Sequence, residues 1–126
     1  MAKILIVDDH QPSRAAARQV LAKDGHEIWD VPDGVRALDL LEIIAFDLVL
    51  TDIYMAAVDG MELLARIQQR GHRVPVVAMS GGGFASREEV LAMARECGAV
   101  AILFKPFTPK QLRETIKPLL KPPPRA

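Results

Sequence analysis

The chain has 126 residues, 50% of them hydrophobic and 25% charged, and its 16 acidic and 16 basic side chains cancel. That length and balance suit one domain with one core and exclude a disordered chain, while no apolar run approaches the ~20 residues needed to cross a bilayer. A single cysteine, Cys97, excludes an internal disulfide and a metal centre built mainly from thiolates.

The N-terminus runs directly into Ile4-Leu5-Ile6-Val7, without the apolar region and small-residue cleavage site of a secretory signal. The cytoplasm is therefore the expected compartment, with no role at a membrane. Ile4 to Val7 reads as a first strand, and Asp8-Asp9-His10-Gln11 as the loop at its crest. Pro12 suits the first turn of a helix, where its missing amide hydrogen costs nothing. Ala15, Ala16, Val20 and Leu21 supply that helix's apolar stripe, and Gly25 stops it. His26 to Trp29 is a short second strand, expected near a sheet edge. Asp33 caps a second helix with Val35, Leu38, Leu41 and Ile44 on its inner face.

Leu48-Val49-Leu50 is too short for a helix and reads as a buried third strand, with Asp52 at its C-terminal end. A loop from Ile53 to Gly60 leads into a third helix with Met61, Leu64 and Ile67 inward, ending near Gly71. Val74 to Met79 is a fourth strand, with Pro75 confined to its beginning. Ser80-Gly81-Gly82-Gly83 follows, the part of the chain with most backbone freedom. Ser86 and Glu89 form a capping box for a fourth helix carrying Val90, Leu91 and Ala94, which Gly98 ends. Val100 to Phe104 is a fifth strand, delivering Lys105-Pro106-Phe107. Thr108 and Pro109 open a fifth helix with Leu112, Ile116 and Leu119 on one face. Residues 121–126 are a Pro-rich tail beyond a domain spanning 1–120.

Five strands alternating with five helices of crossover length define an α/β class: a doubly wound parallel sheet between two helical layers, with right-handed crossovers. Such a sheet gathers its strand C-termini at one edge, where ligands bind. Asp8, Asp9, Asp52, Ser80 and Lys105 all stand at strand ends there. Three neighbouring carboxylates call for a cation, and oxygen donors call for a hard one such as Mg²⁺. One carboxylate is then placed to attack phosphorus, with a lysine and a hydroxyl to meet the phosphoryl oxygens. Asp52 is the natural nucleophile and the Asp8-Asp9 pair the metal holder. His10 reads as a surface residue.

The fragments Ile4-Leu5-Ile6-Val7-Asp8-Asp9, Asp47 to Met55, Asp59-Gly60, Ser80, Gly98-Ala99 and Lys105-Pro106-Phe107 resemble the response-regulator receiver domain of two-component signalling, over about residues 3–120. The resemblance implies a flavodoxin-like sheet in strand order 2-1-3-4-5. It further implies phosphorylation of Asp52 by a histidine kinase or phosphotransfer protein. Asp8, Asp9, Asp52 and the backbone carbonyl of Tyr54 would hold Mg²⁺. Ser80 and Lys105 would contact the phosphoryl oxygens, and the Lys105–Pro106 peptide would be cis. Any catalysis would be limited to the domain's own phosphotransfer and dephosphorylation.

Three features depart from the family pattern. Ala56 replaces the usual proline after Met55. Ile102 stands where a switch tyrosine or phenylalanine is common. The stretch from Ser80 to Lys105 is a few residues longer than usual, with the surplus at Gly81-Gly82-Gly83. Transmission through the loop and helix four, rather than an aromatic rotamer, is therefore expected, and the Tyr54 ring is a candidate brake on hydrolysis.

Residues 24–62 carry ten acids (Asp24, Glu27, Asp30, Asp33, Asp39, Glu42, Asp47, Asp52, Asp59, Glu62) against Arg36 alone, whereas 101–126 carry six bases against Glu114. Nothing resembles a nucleic-acid-binding element. Any output would use a partner surface, as in a stand-alone receiver, or a domain beyond this sequence. Output is expected through the face of helix four, strand five and helix five. A downstream protein or a second copy of the chain would dock there, with Lys110, Arg113 and Lys117 favouring an acidic partner. Two rival readings stay open: a binding module indifferent to phosphorylation, and a Mg²⁺-dependent phosphohydrolase.

Overall fold

The computed structural model describes residues 1–53, 59–81 and 86–120. Its strands are β1 (Lys3–Val7), β2 (Glu27–Val31), β3 (Leu48–Asp52), β4 (Val76–Ser80) and β5 (Ala101–Phe104). Between and after them run α1 (Gln11–Lys23), α2 (Gly34–Ile43), α3 (Gly60–Gln69), α4 (Arg87–Glu96) and α5 (Pro109–Ile116), the last continued by a 3₁₀ turn to Leu120. The strands are all parallel in the order β2-β1-β3-β4-β5, as expected.

Alternation along each strand explains the two helical layers. Leu5, Val7 and Val49 face one side, packing with Leu38, Leu41, Leu64, Ile67 and Val90 from α2, α3 and α4. Ile4, Ile6, Leu48 and Leu50 face the other, against Ala17 and Leu21 of α1 and Leu112 and Ile116 of α5. Strands covered on both faces need apolar residues at every position, and all five residues of both β3 and β4 are buried. Each such Leu or Ile contributes about 1.5–3 kcal/mol on burial.

Helix ends follow the chemistry of their residues. Asp33, Asp59, Ser86 and Thr108 each accept a backbone N–H from the residue three places on. The reciprocal capping box forms at Thr108 with Gln111. At Ser86 only the half from the Glu89 amide is present. Gly25, Gly71 and Gly98 take positive φ just past α1, α3 and α4, where a side chain would be strained.

Several inner faces differ from expectation. In α1 the inward residues are Ala17 and Leu21, four apart, with Ala15 and Ala16 exposed and Val20 half-buried. In α2 Gly34, Ala37, Leu38 and Leu41 face inward, and Val35 is exposed. In α3 Leu63 joins Leu64 and Ile67, leaving Met61 half-buried. The edge strand β2 runs on to Val31, and β5 starts at Ala101, with Val100 exposed.

Candidate functional site

The C-terminal ends of β1, β3 and β4 bring Asp8, Asp52 and Ser80 together, all three buried. Lys105 follows β5 directly, and its amide donates to the Ser80 carbonyl at 2.7 Å. That bond aims its side chain back across the sheet edge. The Lys105 ammonium donates to Asp52 Oδ2 at 2.6 Å and to Asp8 Oδ2 at 2.8 Å. A single cation therefore joins the ends of two neighbouring strands.

Burial disfavours the charged form of Lys105, but its hydrogen bonds and attractions to Asp52 and Asp8 outweigh that, and its pKa is raised. The ammonium meets two carboxylates, so the pair retains excess negative charge when both are ionised.

Asp8 is fixed at every polar atom. Its amide donates to Val31 O at 3.2 Å. Its Oδ1 accepts from the His10 amide at 2.9 Å, and its carbonyl accepts from Arg14 Nη1 at 2.7 Å. Asp9 by contrast is exposed at the rim. Among the described residues, no group of three or more His, Cys, Asp or Glu side chains stands close enough to hold a metal ion. The Tyr54 carbonyl and ring, Gly82 and Gly83 lie outside the described residues. His10 is exposed, as expected, and its Nδ1 lies 2.8 Å from Ser13 Oγ at the start of α1.

The donor set still suits Mg²⁺. That ion asks for oxygen ligands, commonly one or two carboxylates with its waters retained, and the paired Asp8 and Asp52 carboxylates provide them. Such an arrangement lends itself to phosphoryl chemistry: carboxylate oxygens to attack or to bind a cation, and an ammonium and a hydroxyl to receive the phosphoryl oxygens.

Two further residues shape the site. A β-carbon on Gly60 would come within 2.1 Å of the Asp52 carbonyl oxygen, so α3 starts tight against the end of β3. Phe104 pairs with Ser80 in the β4–β5 register, and the Arg87 guanidinium lies 4.7 Å from its ring centroid. The signal for Phe104 was its place two residues after Ile102, which puts both on one face of β5. Ile102 is half-exposed and packs on the core.

Two of the three bases expected on helix α5, Arg113 and Lys117, turn towards α1. Arg113 Nε pairs with Asp24 Oδ2 at the end of α1, at 2.8 Å. Lys117 lines a hollow with Asp24 and His26. The side of α5 beside β5 and Phe104 instead presents Gln111, Glu114 and Thr115. The expected basic face is thus divided: residues 113 and 117 share a side of the helix distinct from 111 and 115, while Lys110 Nζ lies 3.9 Å from Glu114.

Residues 4–117 match the family model of the response regulator receiver domain. The chain is 31% identical over 118 residues to sporulation initiation phosphotransferase F of Bacillus subtilis, covering 94% of this chain and 93% of that protein. It is 36% identical over 115 residues to the response regulator protein FleR of Pseudomonas aeruginosa, covering 91% of this chain and 24% of that one. Among solved structures, chemotaxis protein CheY4 of Vibrio cholerae superposes with a TM-score of 0.86 at 28% identity, over 95% of this chain and 99% of that one.

Proposed function

The chain belongs to the response regulator receiver domain family, and from that premise we propose that it is a phosphoacceptor switch whose acceptor is Asp52. The observation that carries this reading is the Lys105 ammonium held between Asp52 and Asp8 at the sheet edge. A carboxylate oxygen of Asp52 attacks the phosphorus of a phosphohistidine. The P–O bond forms as the P–N bond breaks, and the leaving imidazole keeps the electron pair and takes up a proton. Lys105 is placed to turn its ammonium from the carboxylate to a phosphoryl oxygen, and the Ser80 hydroxyl to donate to another. Mg²⁺, held by Asp8, Asp9 and Asp52 with the Tyr54 carbonyl, would supply the charge that lets an anionic phosphoryl group approach anionic carboxylates. The chemistry is confined to the domain's own phosphorylation and dephosphorylation, and the cytoplasm is where a kinase donor would meet it.

The donor has to bring its histidine to Asp52. A groove of about 520 Å³ opens beside Lys105, between α1 and the segment before α5, with Ala16, Val20, Pro106 and Phe107 among its walls. An apolar helix of a histidine kinase or phosphotransfer protein fits such a groove. Output uses the opposite side of Lys105, the α4-β5-α5 face, for a downstream protein or a second copy of the chain.

The deciding experiment is intact mass after incubation with acetyl phosphate and Mg²⁺, with Asp52→Asn as control. A gain of one phosphoryl group is expected, absent from the control and absent without Mg²⁺. No gain from either acetyl phosphate or a phosphohistidine donor, together with undetectable Mg²⁺ binding, would overturn the reading in favour of a binding module indifferent to phosphorylation.

A further inference from the structure

We propose that Arg14 is a positioning residue for the metal-binding acids, acting through the single peptide plane that joins Asp8 to Asp9. The inference rests on the phosphoacceptor reading above and adds to it a residue outside the acidic pocket.

The geometry is specific. Arg14 lies on the first turns of α1, with its side chain only 16% exposed. Its Nη1 donates to the Asp8 carbonyl at 2.7 Å and its Nε to Asp30 Oδ2 at 3.0 Å. Asp30 in turn stands on β2, next to β1 in the sheet, and its other oxygen takes Nη1 of Arg18. The planar guanidinium thus spans two strands and a helix, with its direction set by a carboxylate.

A peptide group is rigid. Fixing the Asp8 carbonyl therefore fixes ψ of Asp8 and the plane from which Asp9 departs. Asp8 itself is held by three other bonds, whereas the exposed Asp9 is oriented by its two flanking peptides, one held at this carbonyl and the other at the His10 amide that donates to Asp8 Oδ1. Ligand carboxylates whose supporting bonds are lost typically lose about 10–100-fold in metal affinity.

Arg14 is also a cation near a cation site, and simple electrostatics gives the opposite sign. Removing a positive charge would tighten Mg²⁺ binding if charge were what mattered. Asp30 is placed to cancel much of that charge, which leaves the geometric effect dominant. Arg18 serves as the internal control: it carries the same charge and shares the same Asp30, yet makes no bond to Asp8.

The test measures phosphorylation rate by acetyl phosphate against Mg²⁺ concentration, alongside the Mg²⁺ dissociation constant from amide chemical shifts. Arg14→Ala is expected to raise both the half-saturating concentration and the dissociation constant about tenfold. The rate at saturating Mg²⁺ should stay within about twofold of wild type, since the loss concerns the metal's seat rather than the nucleophile. Arg14→Lys, able to reach one of the two acceptors, should recover part of the loss, and Asp30→Asn should show a smaller shift in the same direction. Arg14→Lys, which keeps the charge, also keeps the question decidable if Arg14→Ala fails to fold. Arg18→Ala should leave both quantities near wild type.

Unchanged or tighter Mg²⁺ binding in Arg14→Ala would overturn the proposal, as would an equal shift in Arg18→Ala. Wild-type protein that neither binds Mg²⁺ nor accepts phosphoryl groups would overturn the phosphoacceptor reading and this inference together. Wild-type binding with an unresponsive Arg14 variant would overturn this inference alone.

Discussion

Gly60 lies so close to Asp52 that a β-carbon at position 60 would stand 2.1 Å from the Asp52 carbonyl oxygen and 2.7 Å from the Ile53 Cα. Both obstacles are backbone, so no side-chain rotation relieves the clash. The Gly60 amide also donates to the Ile53 carbonyl at 2.9 Å, tying the start of α3 to the chain leaving β3. Gly60→Ala must therefore shift one segment or the other, at about 1–3 kcal/mol for overpacking of this kind. A lowered melting temperature and slower phosphorylation by acetyl phosphate are expected together. Wild-type values for both would show that the contact relaxes at no cost to the site.

Lys105 makes a prediction about alkaline pH. Burial lowers its pKa, the hydrogen bonds to Asp52 and Asp8 raise it more, and the balance is upward. A group whose folded value exceeds its unfolded one contributes its full stability below the unfolded value. That contribution is lost as pH rises through the folded value, so its window lies above the ordinary lysine range. Titration of the Lys105 Cε resonance should show a midpoint above that of an exposed lysine. Asp52→Asn, which removes one of the two charges raising it, should bring the midpoint down. A wild-type midpoint below the ordinary range would mean that desolvation wins.

Much of this architecture was legible because parallel strands buried on both faces write themselves as unbroken apolar runs, as at Leu48 to Leu50 and Val76 to Met79. The strand ends then located Asp8, Asp52, Ser80 and Lys105. Helix faces slipped by a residue where alanine filled them: Ala15, Ala16 and Ala17 are alike in hydropathy, and only packing on the sheet selects Ala17. Charge was legible as composition but not as direction, which is why Arg113 and Lys117 were expected on the α4 side. The Arg14 contacts join residues six and sixteen places away through the β1–β2 pairing, and no local pattern encodes that.

Phe104 and Arg87 bear on transmission. Ile102 offers no ring to swing inward, but two places along the strand Phe104 sits beside Ser80 and under Arg87, the first residue of α4. A cation over an aromatic face near the surface contributes about 0.5–1 kcal/mol, small enough for phosphorylation to break. With a phosphoryl analogue bound, amide exchange across residues 87–95 should change in wild type. Arg87→Ala should show much of that change already without the analogue. Exchange there that ignores both the analogue and the substitution would rule out this route.

The groove beside Lys105 separates two classes of donor. Acetyl phosphate needs only the acidic pocket, whereas a phosphohistidine arrives on a protein that must seat itself near Asp52. Ala16 is exposed and lines the groove with Val20, Pro106 and Phe107, while Ala15 is exposed one residue away and does not. Placing a carboxylate in an apolar contact that excludes water costs several kcal/mol unless it is paired, and about 1.4 kcal/mol already corresponds to tenfold in rate or affinity. Ala16→Glu should therefore slow transfer from a phosphohistidine-carrying domain at least about tenfold, leaving acetyl phosphate labelling as in wild type. Ala15→Glu introduces the same charge on the same turn and should spare both reactions. Equal slowing by the two variants would point to long-range repulsion of the donor. No slowing by Ala16→Glu would move the docking site away from this groove.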